Sequence, residues 1–185
     1  MIELDTVEVE WGVFSLAIIN FGKPMEEFEP DRGRGVKALR TAIAVRDRFG
    51  NEAMADYYAA IGNRIFDGLQ DYQDDATIVA ALTDAGLDEA TLSDALADPA
   101  TWEKLLAEHT WLTGSTRSFG VPTIQLDGPN GPATFGPVIS NPPDSDADAL
   151  ALWHHTAWLT RYENFSELKR ERTVDPDLEA WRARQ

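Results

Sequence analysis

Hydrophobic and polar positions alternate at the start of the chain, recur at helical spacing through its middle, and alternate again near residue 120. In "DTVEVEWGVFSLAII", Val7, Val9, Trp11 and Val13 fall on one side and Glu8, Glu10 and Gly12 on the other. A period of two predicts a half-buried strand over residues 4–14. "NFGKPMEEFEPDRGRG" breaks the pattern with Gly, Pro and charge and predicts a loop leading into an inserted lobe. From about residue 32 to 117 the spacing is helical. "VKALRTAIAVRDRFG" places Val36, Leu39, Ala42, Ile43 and Arg46 on one face and stops at Gly50. "NEAMADYYAAIGNRIFDGL" repeats Met54, Tyr57, Tyr58, Ile61, Ile65 and Leu69, with Asn51 as its expected cap.

"DDATIVAALTDAG" and "DEATLSDALAD" read as two short helices that open on acidic residues, which suit a helix N-terminus. "DPATWEKLLAEHTWLTGSTRS" has Pro99 in its first turn and carries Trp102, Leu105, Leu106, His109 and Leu112 on a broad face. "PTIQLDG" and "ATFGPVI", separated by "PNGP", predict a hairpin. "DSDADALALWHHTAWLTRYENF" predicts a last amphipathic helix capped by Asp144, Ser145 or Asp146, followed by a charged tail with one short helix. The order strand, helices, strand, strand, helix points to α/β or α+β with a helical insertion.

Composition narrows the function. Lys plus Arg is 16 and Asp plus Glu is 32, giving 16 − 32 = −16. Such a surface is repelled by phosphate backbones and anionic membranes, so neither nucleic acid nor a membrane is expected as a partner. Apolar runs such as "VFSLAII" are too short to span a bilayer, and the start has neither a basic region nor an apolar signal core, which predicts a cytoplasmic chain. Cysteine is absent, which rules out a disulfide framework, thiolate metal ligation and thiol redox chemistry by these residues alone.

No glycine-rich phosphate loop and no Gly-x-Ser-x-Gly elbow occurs. The histidines are His109, His154 and His155, and adjacent positions on a helix point about 100° apart. No metal site is expected from them.

"GVPTIQLDG" (120–128) resembles the DsbA-like members of the thioredoxin superfamily, whose step before the hairpin carries a cis proline. "FSLAIIN" (14–20), "YAAIGNRIFD" (58–67), "FGPVIS" (135–140) and "FSELKRERT" (165–173) extend the likeness. Together they resemble, in order, the actinobacterial mycothiol-dependent nitroreductases, relatives of DsbA and of 2-hydroxychromene-2-carboxylate isomerases.

The resemblance implies an α/β thioredoxin-like, DsbA-type sheet with residues 1–30 and 106–185 as the core and 31–105 as an inserted helical lobe. It also implies a departure. Family members open with a strand and a Cys-Pro-Trp-Cys helix, whereas this chain begins at the strand that follows them. The first strand and redox helix are therefore expected to be missing, through a shortened N-terminus or true degeneration. A dimer filling the gap, closure of the two strand groups or a rearranged sheet would then be needed to satisfy the exposed edges.

The implied function is a thiol–disulfide oxidoreductase or mycothiol-dependent reductase-like protein, redox-inactive as given because no residue replaces the cysteine pair. A low-molecular-weight thiol, mycothiol in the intact family, is the implied co-substrate, with a small thiol or disulfide as partner, no bound cofactor and no catalytic residue in these 185 positions. The alternatives are a non-enzymatic thiol- or peptide-binding module and a cysteine-independent, isomerase-like relative.

Pro122, with Val121 and Thr123 offering backbone hydrogen bonds, is the implied substrate-binding step; ordinary strand packing is the plain alternative. Asn20 and His109 are the further implied site residues, against a loop-capping asparagine and a helix-face histidine. Ser15 reads as structural, and Gly62, Asn63 and Arg64 as a packing trio in which Gly62 permits close approach.

Overall fold

The helical spacing of the middle of the chain becomes a set of helices in a computed structural model, which describes residues 7–183. Ser15 precedes the short helix α1 (Leu16–Ile19), and two 3₁₀ turns (Met25–Glu27 and Pro30–Arg32) lead to α2 (Val36–Phe49). There follow α3 (Asn51–Phe66), α4 (Asp75–Asp84), α5 (Ala90–Ala97) and α6 (Pro99–Thr116). The hairpin β1 (Thr123–Gln125) and β2 (Ala133–Phe135), then α7 (Asp146–Arg161) and α8 (Glu179–Arg182), complete the order. Helices with a small two-stranded sheet among the described residues are consistent with an α/β thioredoxin-like fold.

Two compact units divide these elements. One comprises Glu10–Trp111 with the C-terminal residues from Leu178; the other comprises Leu112–Asp177 with residues 7–9 of the described N-terminus. In the first, α2 packs on α3 and α5, α3 on α4, and α8 on α3. Ile43, Val45, Ile78, Leu82 and Leu105 are fully buried in its core, with Met54 and Tyr57 beside them. The helix stop read at Gly50 is real. At φ +92° it takes a conformation that side-chain-bearing residues avoid, and its N–H closes the last turn on the Arg46 carbonyl at 3.0 Å. Asn51 is not the cap of α3; Gly50 stands at that position, and Asn51 is already the first helical residue.

Arg40 is the polar exception in this core, only 5% exposed. Its Nη2 donates to the carbonyls of Ala95 (3.0 Å), Leu96 (3.0 Å) and Asp98 (3.2 Å), and its Nε donates to Thr101 Oγ1 at 2.9 Å. The guanidinium thus sits at the negative end of α5, where helical geometry leaves the last carbonyls short of N–H partners, while the Asp98 carbonyl also accepts the Thr101 N–H at 3.2 Å. Thr101 Oγ1 reaches the Ala95 and Asp98 carbonyls as well, at 2.7 and 2.9 Å, so residue 101 and residue 40 together close the α5–α6 corner. Gly62 does not serve close packing, because a Cβ built there meets nothing within 4 Å. Arg64 ties α3 to α4 through Asp84 at 2.7 Å.

The predicted strand over residues 4–14 is not formed in its described part: residues 7–14 carry no strand, and 4–6 lie outside the described residues. The alternation holds only in its second half: Trp11, Val13 and Ser15 turn inward while Gly12 is exposed, whereas Val7 and Val9, expected on the buried side, are exposed like Glu8 and Glu10. What is missing is a neighbouring strand. Every second N–H is instead taken by a side chain: Trp11 N–H by Asn51 Oδ1 (3.0 Å), Val13 N–H by Glu108 Oε1 (2.8 Å) and Ser15 N–H by His109 Nδ1 (3.2 Å). Arg46 Nη1 donates to the Trp11 carbonyl at 2.8 Å. Helix side chains do here what a ladder strand does in a sheet.

In the other unit, β1 and β2 pair antiparallel with Thr123 opposite Phe135, Ile124 opposite Thr134 and Gln125 opposite Ala133. Gly131 in the connecting loop is irreplaceable, as a Cβ there would fall 1.8 Å from the Leu126 carbonyl oxygen. Of the three candidate caps for α7, Ser145 holds the position. Its Oγ accepts the Asp148 N–H at 3.2 Å and donates to Asp148 Oδ2 at 2.7 Å. Ser145→Ala is expected to lower stability by about 1 kcal/mol, read as a shift of the urea midpoint; a loss below about 0.3 kcal/mol would mean that water replaces the cap.

Candidate functional site

Pro122 stands at the head of β1, and its geometry is built by the loop before it. Thr116 Oγ1 bonds back to the Leu112 carbonyl at 2.6 Å and receives the Ser118 N–H at 3.2 Å, closing the end of α6. Ser118, buried, points its hydroxyl at the Gly120 carbonyl (3.0 Å) and lies 2.8 Å from Thr123 Oγ1, which also reaches Gly120 O at 2.9 Å. Two hydroxyls therefore hold one buried carbonyl and pin the turn that presents residues 121 and 122. The Val121–Pro122 peptide is cis, as is Gly136–Pro137 just past the end of β2, and the Pro122 carbonyl accepts the Gly136 N–H at 2.9 Å.

The residues around Val121 are largely apolar and exposed. Phe119 and Phe135 pack ring to ring at 4.7 Å, and Phe119, Val121, Phe135, Val138 and Ile139 are all exposed. Among the described residues, neither the N–H nor the C=O of Val121 has a hydrogen-bond partner. Residues 118–143 contain one charged side chain, Asp127, in a chain of net charge −16. Arg161 on α7 clamps that carboxylate with two bonds of 2.8 and 2.7 Å and holds it below the usual carboxylate range.

Asn20 and His109 belong to the other unit and are linked through α1. His109 is 4% exposed, its ring lies 4.9 Å from that of Phe14, and its Nδ1 anchors the Ser15 N–H. Ser15 Oγ in turn accepts the Ile18 N–H at 3.3 Å, which caps α1 at its start. Asn20 closes the same helix from the other end, its Nδ2 donating to the Leu16 carbonyl at 2.8 Å. The five residues singled out in the sequence therefore fall into two groups: Val121, Pro122 and Thr123 on the hairpin, and Asn20 and His109 at either end of one short helix.

The sequence profile of the family described as Rv2466c-like, mycothiol-dependent nitroreductase Rv2466c, matches residues 1–170. The chain belongs to that family. Uncharacterized protein Rv2286c of Mycobacterium tuberculosis (strain ATCC 25618 / H37Rv) is 32% identical over 181 residues, which cover 96% of this chain and 76% of that protein.

Within this Rv2466c-like chain, sequence reading passed over the residues that fasten the site segments. Arg46 was visible as a cation on an otherwise apolar helix face, a position that demands a partner. The partner is Glu108, bound through Nη1–Oε1 at 2.9 Å and Nη2–Oε2 at 2.6 Å, and these contacts raise the Arg46 pKa above its ordinary value. Ser118 gave no signal beyond lying before "GVPT". Among the described residues, no three of His, Asp and Glu converge as metal ligands, and no helix is long and apolar enough to cross a membrane.

Proposed function

We propose that this chain is the ligand-positioning part of a mycothiol-type reductase on a DsbA-type thioredoxin scaffold with an inserted helical lobe. It holds a low-molecular-weight thiol or its disulfide at Val121–Pro122–Thr123. These 185 residues contain no cysteine, so they have no thiolate and do not exchange disulfides unaided.

The observation that carries the reading is Val121. Among the described residues its N–H and C=O are unbonded, on an exposed hairpin whose one carboxylate, Asp127, is closed on Arg161 and whose turn is held by Ser118 and Thr123, so an extended ligand can pair with the backbone there. Membership of a thiol-dependent reductase family supplies the ligand class.

The test has two arms. Purified chain with insulin and either mycothiol or glutathione as reductant should give no disulfide reduction above the thiol-only background; turnover that scales with protein overturns the claim of inactivity. In thermal melts, thiol at ten times its Kd should raise the melting temperature by about 4 °C. No shift with any thiol or its disulfide overturns the binding claim.

A further inference from the structure

Three side chains accept the N–H groups of residues 11, 13 and 15, and their chemistry differs. Asn51 does not titrate. Glu108 is closed on Arg46 by two bonds, at 2.9 and 2.6 Å. His109 carries the imidazole, the side chain whose ordinary charge change falls between pH 5 and 8. Its Nδ1 accepts the Ser15 N–H, which requires a lone pair there and places the ring proton on Nε2. A proton added at Nδ1 would set N–H against N–H, 3.2 Å apart, inside a pocket that hides all but 4% of the residue.

Among the described residues, the segment 11–15 and α1 contain no ionisable side chain. On α6, Glu108 is closed on Arg46 of α2, and Asp47 and Glu10 act on that same arginine.

We propose that His109 is a pH-operated latch: neutral, it holds Ser15 and the start of α1; protonated, it releases the stretch from about residue 11 to Asn20 while the helical core stays folded. The direction follows from linkage. Burial holds the His109 pKa below its ordinary value. The latch is therefore complete above about pH 6.5, where free histidine is neutral, and is lost as pH falls through the lower folded value. Because α1 runs from Ser15 to the cap at Asn20, the whole short helix is released together. The device acts on this segment whatever ligand the chain binds.

Hydrogen–deuterium exchange of the full chain, corrected for the intrinsic pH dependence, tests it. Between about pH 7.5 and pH 5, exchange over residues 11–20 should rise at least about tenfold while α4 and α5 keep their protection. His109→Asn, whose Oδ1 can accept the Ser15 N–H without titrating, should abolish that rise. In ¹⁵N spectra of the wild-type imidazole, Nδ1 should be the unprotonated nitrogen at neutral pH. The proposal is overturned by a flat wild-type response, by loss of protection in α4 and α5 together with residues 11–20, by the same pH response in His109→Asn, or by a proton on Nδ1 at neutral pH.

Discussion

Replacing Arg40 by methionine is expected to cost about 3 kcal/mol of folding stability, a large share of the ~5–15 kcal/mol that holds an ordinary domain together. The guanidinium is almost wholly buried and serves four acceptors at the α5–α6 corner. Thr101 Oγ1 still meets Ala95 and Asp98 in the variant, so their loss is partial. The Leu96 carbonyl has no such substitute, and methionine brings apolar volume but no donor. Arg40→Lys keeps the charge yet replaces a planar fork with a single nitrogen, and should recover less than half of the deficit. Urea unfolding with an unchanged slope would measure both variants. A deficit under about 1 kcal/mol for Arg40→Met would mean that water reaches the corner and the arginine is dispensable.

Arg46→Met should follow at about 2–3 kcal/mol, by a different route. Here the pair is half-buried, and the arginine holds two things together: the Glu108 carboxylate and the Trp11 carbonyl. Removing it leaves Glu108 charged with only the Val13 N–H as partner. Glu108→Gln removes that charge but keeps an oxygen for Val13, so the double variant should be less damaged than the sum of the singles by about 1–2 kcal/mol. Strict additivity would show that the two side chains act independently, contrary to the geometry.

The helices were legible because their signals are local. Apolar recurrence, the stop at Gly50, Pro99 in a first turn and Ser145 before Asp146 each act within a few residues. The hairpin was equally local, marked by "PNGP" between two short apolar runs. The segment 4–14 misled because alternation reports which side of an extended chain is buried, not what its backbone bonds to. Its partners lie 40, 95 and 94 residues away, at Asn51, Glu108 and His109, and no periodicity reaches that far.

The site was readable to the same extent. "GVPT" marked Val121, Pro122 and Thr123, but the Ser118–Thr123 hydroxyl pair that shapes their turn depends on folded geometry. His109 and Asn20 were picked out separately, and only the folded chain reveals Ser15 as the link between them.

The stretch from Trp11 to Ser15 has one more property. A strand in a sheet is zipped to a single neighbour and lets go as a unit. Here the rungs belong to unlike side chains, and His109 is the one among them that a proton can displace, so a single rung can start the release. Release of that kind needs no hinge and no lost core helix, only a fastening made from unlike parts.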